Sequence, residues 1–184
     1  MIRPATTADA QQIAPLILLA MGPLAAKFAN SDDVKIQTHL FVHFIMQNSN
    51  QYSYQNILVD EDEGEINGMI IAYDGALLDE LRRPFLNHIT QKLGFTGTPE
   101  DETQAGEYYI DCLAVLPHKQ GLGTGRKLIK ALCDKIAAEG HLIAGLLVSN
   151  PDAKRLYESM GFKVQNTITL LGGNHEHLHL KLNA

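Results

Sequence analysis

Apolar residues recur along this chain at two periods, and the switches between them predict its elements. Met1 to Ala5 reads as a short strand. Thr6-Thr7-Ala8-Asp9 follows, an [ST]-x-x-[DE] capping pattern that opens a helix. Ile13, Leu16, Ile17 and Ala20 share one face of that helix, and Pro15, Gly22 and Pro23 predict a kink or division before Phe28. A second helix is expected from about Ser31 and Asp32, ending by Asn48, with Ile36, Leu40, Phe41 and Phe44 on one stripe. Ile57 to Asp60 and Ile66 to Tyr73 read as a hairpin turned through the acidic Glu61-Asp62-Glu63-Gly64. Leu78, Leu81, Phe85 and Ile89 keep helical spacing, with Pro84 an expected interruption, and Gly94 to Gly106 reads as an acidic loop.

The second half of the chain alternates more regularly. Tyr108 to Leu116 is a strand, and a helix from Thr124 to about Glu139 buries Leu128, Leu132 and Ile136, with Ile129 and Cys133 beside them. Gly140 stands where a C-terminal cap belongs. Leu142 to Val148 is another apolar strand. Asn150 then suits an N-cap, Pro151 the first helical position and Gly161 the residue past the helix end, with Ala153, Leu156, Tyr157 and Met160 on one face. Strands around Lys163 to Leu170 and His177 to Leu182 close the chain. No repeat, low-complexity tract or linker divides it, so one mixed α/β domain over residues 1–184 is expected.

Between the strand ending at Leu116 and the helix beginning near Arg126 lies Gln120-Gly121-Leu122-Gly123-Thr124-Gly125. Glycines lack a Cβ, so a ligand can approach their backbone closely, and the helix N-terminus behind them offers unpaired N–H groups and a positive dipole end. A phosphate or pyrophosphate is the anion that fits. The P-loop string G-x-x-x-x-G-K-[ST] is missing, and G-x-G-x-x-G fails because Arg126 or Leu128 falls at its third glycine. The spacing that fits is Gln120-x-x-Gly123-x-Gly125 after Val115-x-Pro117, and about thirty residues later comes Asn150-x-x-Ala153-x-x-x-Tyr157-x-x-x-Gly161-Phe162.

In that order these two motifs resemble the GCN5-related N-acetyltransferase (GNAT) superfamily. The opening Ile-Arg-Pro-Ala-Thr-x-x-Asp resembles its first strand and helix. The resemblance is strong over residues 107 to 163 and implies a central twisted mixed sheet flanked by helices, with strands 4 and 5 splayed to hold acetyl-CoA as cosubstrate. It implies that backbone N–H groups of Leu113, Ala114 and Val115 hold the coenzyme, Leu113 also polarising the thioester carbonyl. It places the pyrophosphate on Gln120, Gly121, Leu122, Gly123, Thr124, Gly125 and Arg126, and coenzyme contacts on Asn150 and Ala153. Tyr157 would be the general acid for the departing thiolate. Taken alone, Asn150 and Tyr157 also read as a capping asparagine and a half-buried tyrosine.

The implied reaction is acetyl transfer to an amine by direct attack in a ternary complex, with the acceptor, a small molecule or a protein amine, left open. Some relatives carry a catalytic glutamate five residues before the asparagine, where this chain has Gly145. Glu107 and Asp111 lie four apart, and strand alternation puts both on one face with Leu113 and Val115. Asp111 is the candidate base. An ammonium anchor, a solvated carboxylate and a structural acceptor are the other readings of it. Residues 76 to 106 are an insert unlike the family, read either as an acceptor-side lid or wall or as a surface excursion. A coenzyme-binding sensor without catalysis is the second function class, and a nucleotide-binding protein, disfavoured by the failed fingerprints, the third.

Composition adjusts this picture little. A length of 184 residues suits one core, and 45% hydrophobic and 20% charged residues are ordinary for a globular domain. The formal charge of −6 argues against non-specific nucleic-acid binding and mildly favours cationic partners. Cys112 and Cys133 read as buried free thiols, and no leader or membrane span is visible, so a cytoplasmic protein is expected, with a homodimer left open. His175, His177 and His179 alternate on the last strand and have zinc-like spacing. The simpler reading is the solvated face of an edge strand, and no metal is expected.

Overall fold

The computed structural model describes residues 1–170 and 172–183. Seven strands form one mixed sheet: β1 (Ile2–Pro4), β2 (Ile57–Asp62), β3 (Glu65–Asp74), β4 (Tyr108–Val115), β5 (Ile143–Val148), β6 (Lys163–Leu170) and β7 (Gly173–Lys181). Their order across the sheet is β1-β2-β3-β4-β5-β7-β6, and only β4 and β5 run parallel. Helices α1 (Ala10–Met21), α2 (Pro23–Ala29), α3 (Val34–Ile45) and α4 (Leu78–Leu93) cover one face, and α5 (Thr124–Ala138) and α6 (Pro151–Ser159) the other.

Local chemistry starts the chain as expected. The Asp9 carboxylate accepts hydrogen bonds from the Thr6 N–H at 2.7 Å and the Thr6 hydroxyl at 2.9 Å, closing the turn that leads into α1. Pro15 is accommodated inside α1, whereas Gly22, at φ +53°, and Pro23 divide it from α2 at an angle of 114°. Asp33 caps α3 by accepting from the Lys35 N–H at 2.8 Å. The buried stripe of α3 runs Gln37, Leu40, Phe41, Phe44, Ile45, and the expected Ile36 is 45% exposed. Gln37 can hold that buried place because its amide donates to the Ser31 carbonyl at 2.9 Å.

Two further expectations are corrected. Pro84 does not interrupt α4, which runs unbroken from Leu78 to Leu93. Phe85 lies between Phe28, Phe44 and Tyr52, with ring centroids at 5.3, 5.0 and 4.7 Å, and this aromatic packing outweighs the local cost of the proline. Nor is β7 an edge strand. It pairs with β5 and β6 on its two sides, which buries His177. Among the described residues, no single helix is long and apolar enough to cross a membrane.

Candidate functional site

The site grows from the way β4 leaves β5. The two pair only through Tyr108–Ile110 and Ala144–Leu146. Against β3, Ile71 faces Cys112 while Ala72 faces Ile110, so Asp111 is the extra residue of a β-bulge. A bulge bends and twists its strand, and beyond it β4 has no β5 partner. The same bulge resets the alternation. Asp111 stays on the face of Glu107 and Tyr109, next to Cys112 and Ala114, while Leu113 and Val115 point to the α5 side. The expected common face for Asp111, Leu113 and Val115 is therefore corrected.

Leu113, Ala114 and Val115 line the opened end of β4, and the glycine turn continues from it. Gln120 donates to the Val115 carbonyl at 3.0 Å, so its side chain ties the turn to the strand. Gly121 and Gly123 adopt left-handed φ values of +76° and +85°, and a Cβ on either would meet no protein atom within 4 Å. Gly123 is the N-cap of α5 and has no side chain to cap it with, so the first-turn N–H groups of Thr124, Gly125 and Arg126 are left for an external acceptor. Thr124 is buried against Gly68, Gly125 sits over Leu156, Leu122 is exposed, and Arg126 donates to the Ser159 hydroxyl at 2.8 Å. Free N–H groups at a helix N-terminus with open glycines before it suit an anion.

On α6, the Asn150 Oδ1 accepts from the backbone N–H groups of Asp152 and Ala153 at 2.8 and 3.3 Å, so it is a helix cap. Ala153 is partly buried on the same helix. Tyr157 is almost wholly buried, its ring edge-on to Phe162 at 5.7 Å. Burial pushes its phenol well above the usual value, with the neighbouring Cys112 thiol adding to the rise. It therefore stays protonated at any physiological pH, and its proximity to Cys112 places it beside the gap.

On the opposite face, a pocket lies over the bulge. It is lined by Met21, Leu24 and Phe28 of α1 and α2, by Gln51 and Tyr52, by Arg82, Phe85 and Leu86 of α4, by Pro99, Glu100 and Glu102 of the following loop, by Asp111, and by Leu170. Gln51 Nε2 donates to both Glu102 and Asp111 at 3.0 Å, and the Tyr73 hydroxyl lies 3.3 Å from Glu102. Burial, and then the Asp111 charge, push the Glu102 carboxyl well above the usual carboxylate range. Burial also pushes Asp111 up. Neighbouring carboxyls raised in this way resist joint ionisation, and a carboxylate so raised is a stronger base than a solvated one. Sequence reasoning reached Asp111 but not Glu102, Gln51 or Tyr73. Glu102 looked like one more acid in a surface loop, and only the fold turns it inward.

A second polar cluster lies on the same face at the start of β4. The Glu107 Oε2 is 2.8 Å from the His177 Nε2 and 2.9 Å from the His179 Nε2. This carboxylate occupies the space above Gly145, where an added Cβ would fall on it. Gly145 thus has no acid of its own, and the neighbouring strand supplies one at its place. His175 is turned to the Gly173 carbonyl and stands apart from the cluster.

Similar proteins agree with this architecture. A curated mycothiol acetyltransferase of Gordonia bronchialis is 35% identical over 97 residues, which make up 52% of this chain and 27% of that protein. The chain therefore spans about a quarter of that relative's length. A crystal structure described as an acetyltransferase superposes with a TM-score of 0.81 at 30% identity, covering 100% of both chains. An N-acetyltransferase from Staphylococcus aureus Mu50 gives a TM-score of 0.82 at 24% identity, covering 98% of this chain and 100% of its own, and speaks to the fold alone. The family model for the acetyltransferase (GNAT) domain matches residues 53–164. That span runs from just before β2 through the splayed strands, the glycine turn and α6 into the start of β6, and it shows that the chain belongs to the GNAT acetyltransferase family.

Proposed function

We propose that the protein transfers an acetyl group from acetyl-CoA to a cationic amine by direct attack in a ternary complex. The observation that carries this reading is the Asp111–Glu102 pair, half-buried at the bulge where β4 leaves β5 and lining a pocket that also holds apolar side chains, Gln51, Glu100 and Arg82. An ammonium group entering that pocket meets the carboxyls of Asp111, Glu102 and Glu100 and apolar side chains such as Met21, Leu24 and Phe28, while Arg82, also in the lining, is paired with Asp79 and Asp101. Together with the overall charge of −6, this favours amines over anionic acceptors.

The roles of the chain's residues follow from their positions. Gly121 to Arg126 cradle the pyrophosphate, and the unpaired end of β4 from Leu113 to Val115 holds the pantetheine arm and polarises the thioester carbonyl. Asn150 and Ala153 border the coenzyme on α6. The Asp111–Glu102 pair takes a proton from the ammonium, and the freed nitrogen lone pair attacks the carbonyl carbon. As the C–N bond forms and the C–S bond breaks, Tyr157 protonates the leaving thiolate, the nitrogen gives its second proton to water, and Tyr157 regains its proton from solvent. The products are an amide and coenzyme A.

The test is thiol release from acetyl-CoA with a panel of primary amines, for the wild type, Asp111→Asn and Glu102→Gln. Loss of a positioned base is expected to lower kcat/KM by about 10²–10⁴-fold in Asp111→Asn. Glu102→Gln is expected to leave the acid limb of the pH profile nearly in place, because burial raises Asp111 and Glu102 is still neutral when Asp111 ionises. If acetyl-CoA binds and no amine accepts, the chain is a coenzyme-binding module. If Asp111→Asn turns over like the wild type, the base lies elsewhere.

A further inference from the structure

Glu107, His177 and His179 meet away from the reacting centre. Four residues separate Glu107 from Asp111 along β4, roughly 13 Å of extended chain. Both imidazoles aim Nε2 at the same carboxylate oxygen, and those nitrogens are 3.2 Å from each other. Protons alone satisfy this triangle poorly. With both nitrogens protonated, two N–H groups crowd each other on one oxygen. With only one protonated, the other nitrogen turns a lone pair toward a carboxylate.

A cation facing all three atoms removes the conflict. The edges of 2.8, 2.9 and 3.2 Å let a metal sit about 2.0–2.1 Å from each ligand and roughly 1 Å out of their plane, with an open fourth position. The outer support is also in place. The Thr103 hydroxyl donates to the other carboxylate oxygen of Glu107 at 2.6 Å, fixing its orientation and leaving Oε2 for the metal. Glu107 and His177 are buried, while the side chain of His179 is 25% exposed and leaves a way in from solvent.

We propose that Glu107, His177 and His179 form a site for a divalent transition metal of the zinc class, which clamps the 94–106 loop, through Thr103, to β4 and β7. The site joins two segments about 70 residues apart in sequence. Thr103 is next to Glu102, so occupancy would also steady one wall of the pocket over Asp111.

The test uses the intact chain, stripped with chelator and titrated with ZnCl2 by calorimetry, with Tm as the second readout. One equivalent is expected to bind and raise Tm, and Co2+ is expected to give the intense visible bands of a four-coordinate site. His179→Ala, at the exposed ligand, should abolish both effects. Glu107→Gln keeps the shape and removes the charge, and should do the same if His179→Ala fails to fold. Thr103→Val should weaken binding by about 10–100-fold. His175→Ala, on the same strand but outside the triangle, should bind like the wild type. The proposal is overturned if the wild type shows no saturable binding, or if His179→Ala or Glu107→Gln binds undiminished. None of these readouts depends on acetyl transfer.

Discussion

Tyr157 is the residue whose role separates catalysis from packing. Its ring lies among apolar side chains with Phe162 edge-on, and Cys112 is close enough to act on its phenol electrostatically. Tyr157→Phe keeps the ring, so Tm is expected to change little, and coenzyme affinity likewise. The hydroxyl is lost, and kcat is expected to fall by about 10²-fold in thiol release at saturating amine. A mutant with the wild-type kcat would make Tyr157 a packing residue. Its spacing from Asn150 could be read in the sequence, because seven residues bring two positions to the same side of a helix. The partner of Asp111 could not be read. Glu102 lies nine residues away along the chain and is joined to it only through the Gln51 amide, which no local pattern marks.

Two elements carry separate tests. In the glycine turn, a methyl at Gly123 meets no protein atom, so Gly123→Ala acts on whatever approaches from outside and on the left-handed φ of +85°. Gly140, at φ +90° past the other end of α5, has equally open surroundings. Gly140→Ala is therefore the control for strain. Each substitution is expected to cost about 1–2 kcal/mol of stability, but only Gly123→Ala should weaken acetyl-CoA binding, measured by calorimetry. Equal affinities would remove the turn from the coenzyme site. The loop after α4 is the second element. Its residues 96–104 include Glu102 and Thr103, both turned inward, and Pro99, Glu100 and Glu102 line the pocket. Deleting 96–104 is expected to raise the amine KM and alter amine preference, with coenzyme affinity nearly intact. An unchanged amine profile would return the loop to a surface feature. The helix and strand periods foretold both elements, whereas the inward turn of the loop depends on Arg82, which pairs with Asp101 beside the pocket.

At the scale of the whole molecule, two carboxyls push the pH dependence of stability in opposite directions. The Arg3 guanidinium, hydrogen-bonded to Asp9, holds that carboxyl down to about 2 from its ordinary 3.8. Stability from this pair is present above 3.8 and lost as pH falls toward 2, and it is worth about 2 kcal/mol. Glu102 is raised, so ionising it costs the folded state. That stability is full in acid and is lost as pH rises from the usual carboxylate range through neutrality. Asp9→Asn is thus expected to lower Tm at about pH 7 and to match the wild type near pH ~2, while Glu102→Gln raises Tm at about pH 8 and matches near pH ~4. A parallel offset at every pH would detach either effect from titration. The sequence by itself determined the alternation of strands and helices, the caps at Thr6 and Asn150, and the glycine turn before α5, because each rests on residues within one or two turns of chain. It also carried the family's two motifs. Only the tertiary structure decided that β7 lies inside the sheet, that the bulge at Asp111 resets the faces of β4, and that Glu107 fills the space above Gly145 and meets His177 and His179. Those follow from strand order and pairing register, which depend on contacts between distant segments and leave no periodic trace in any one of them.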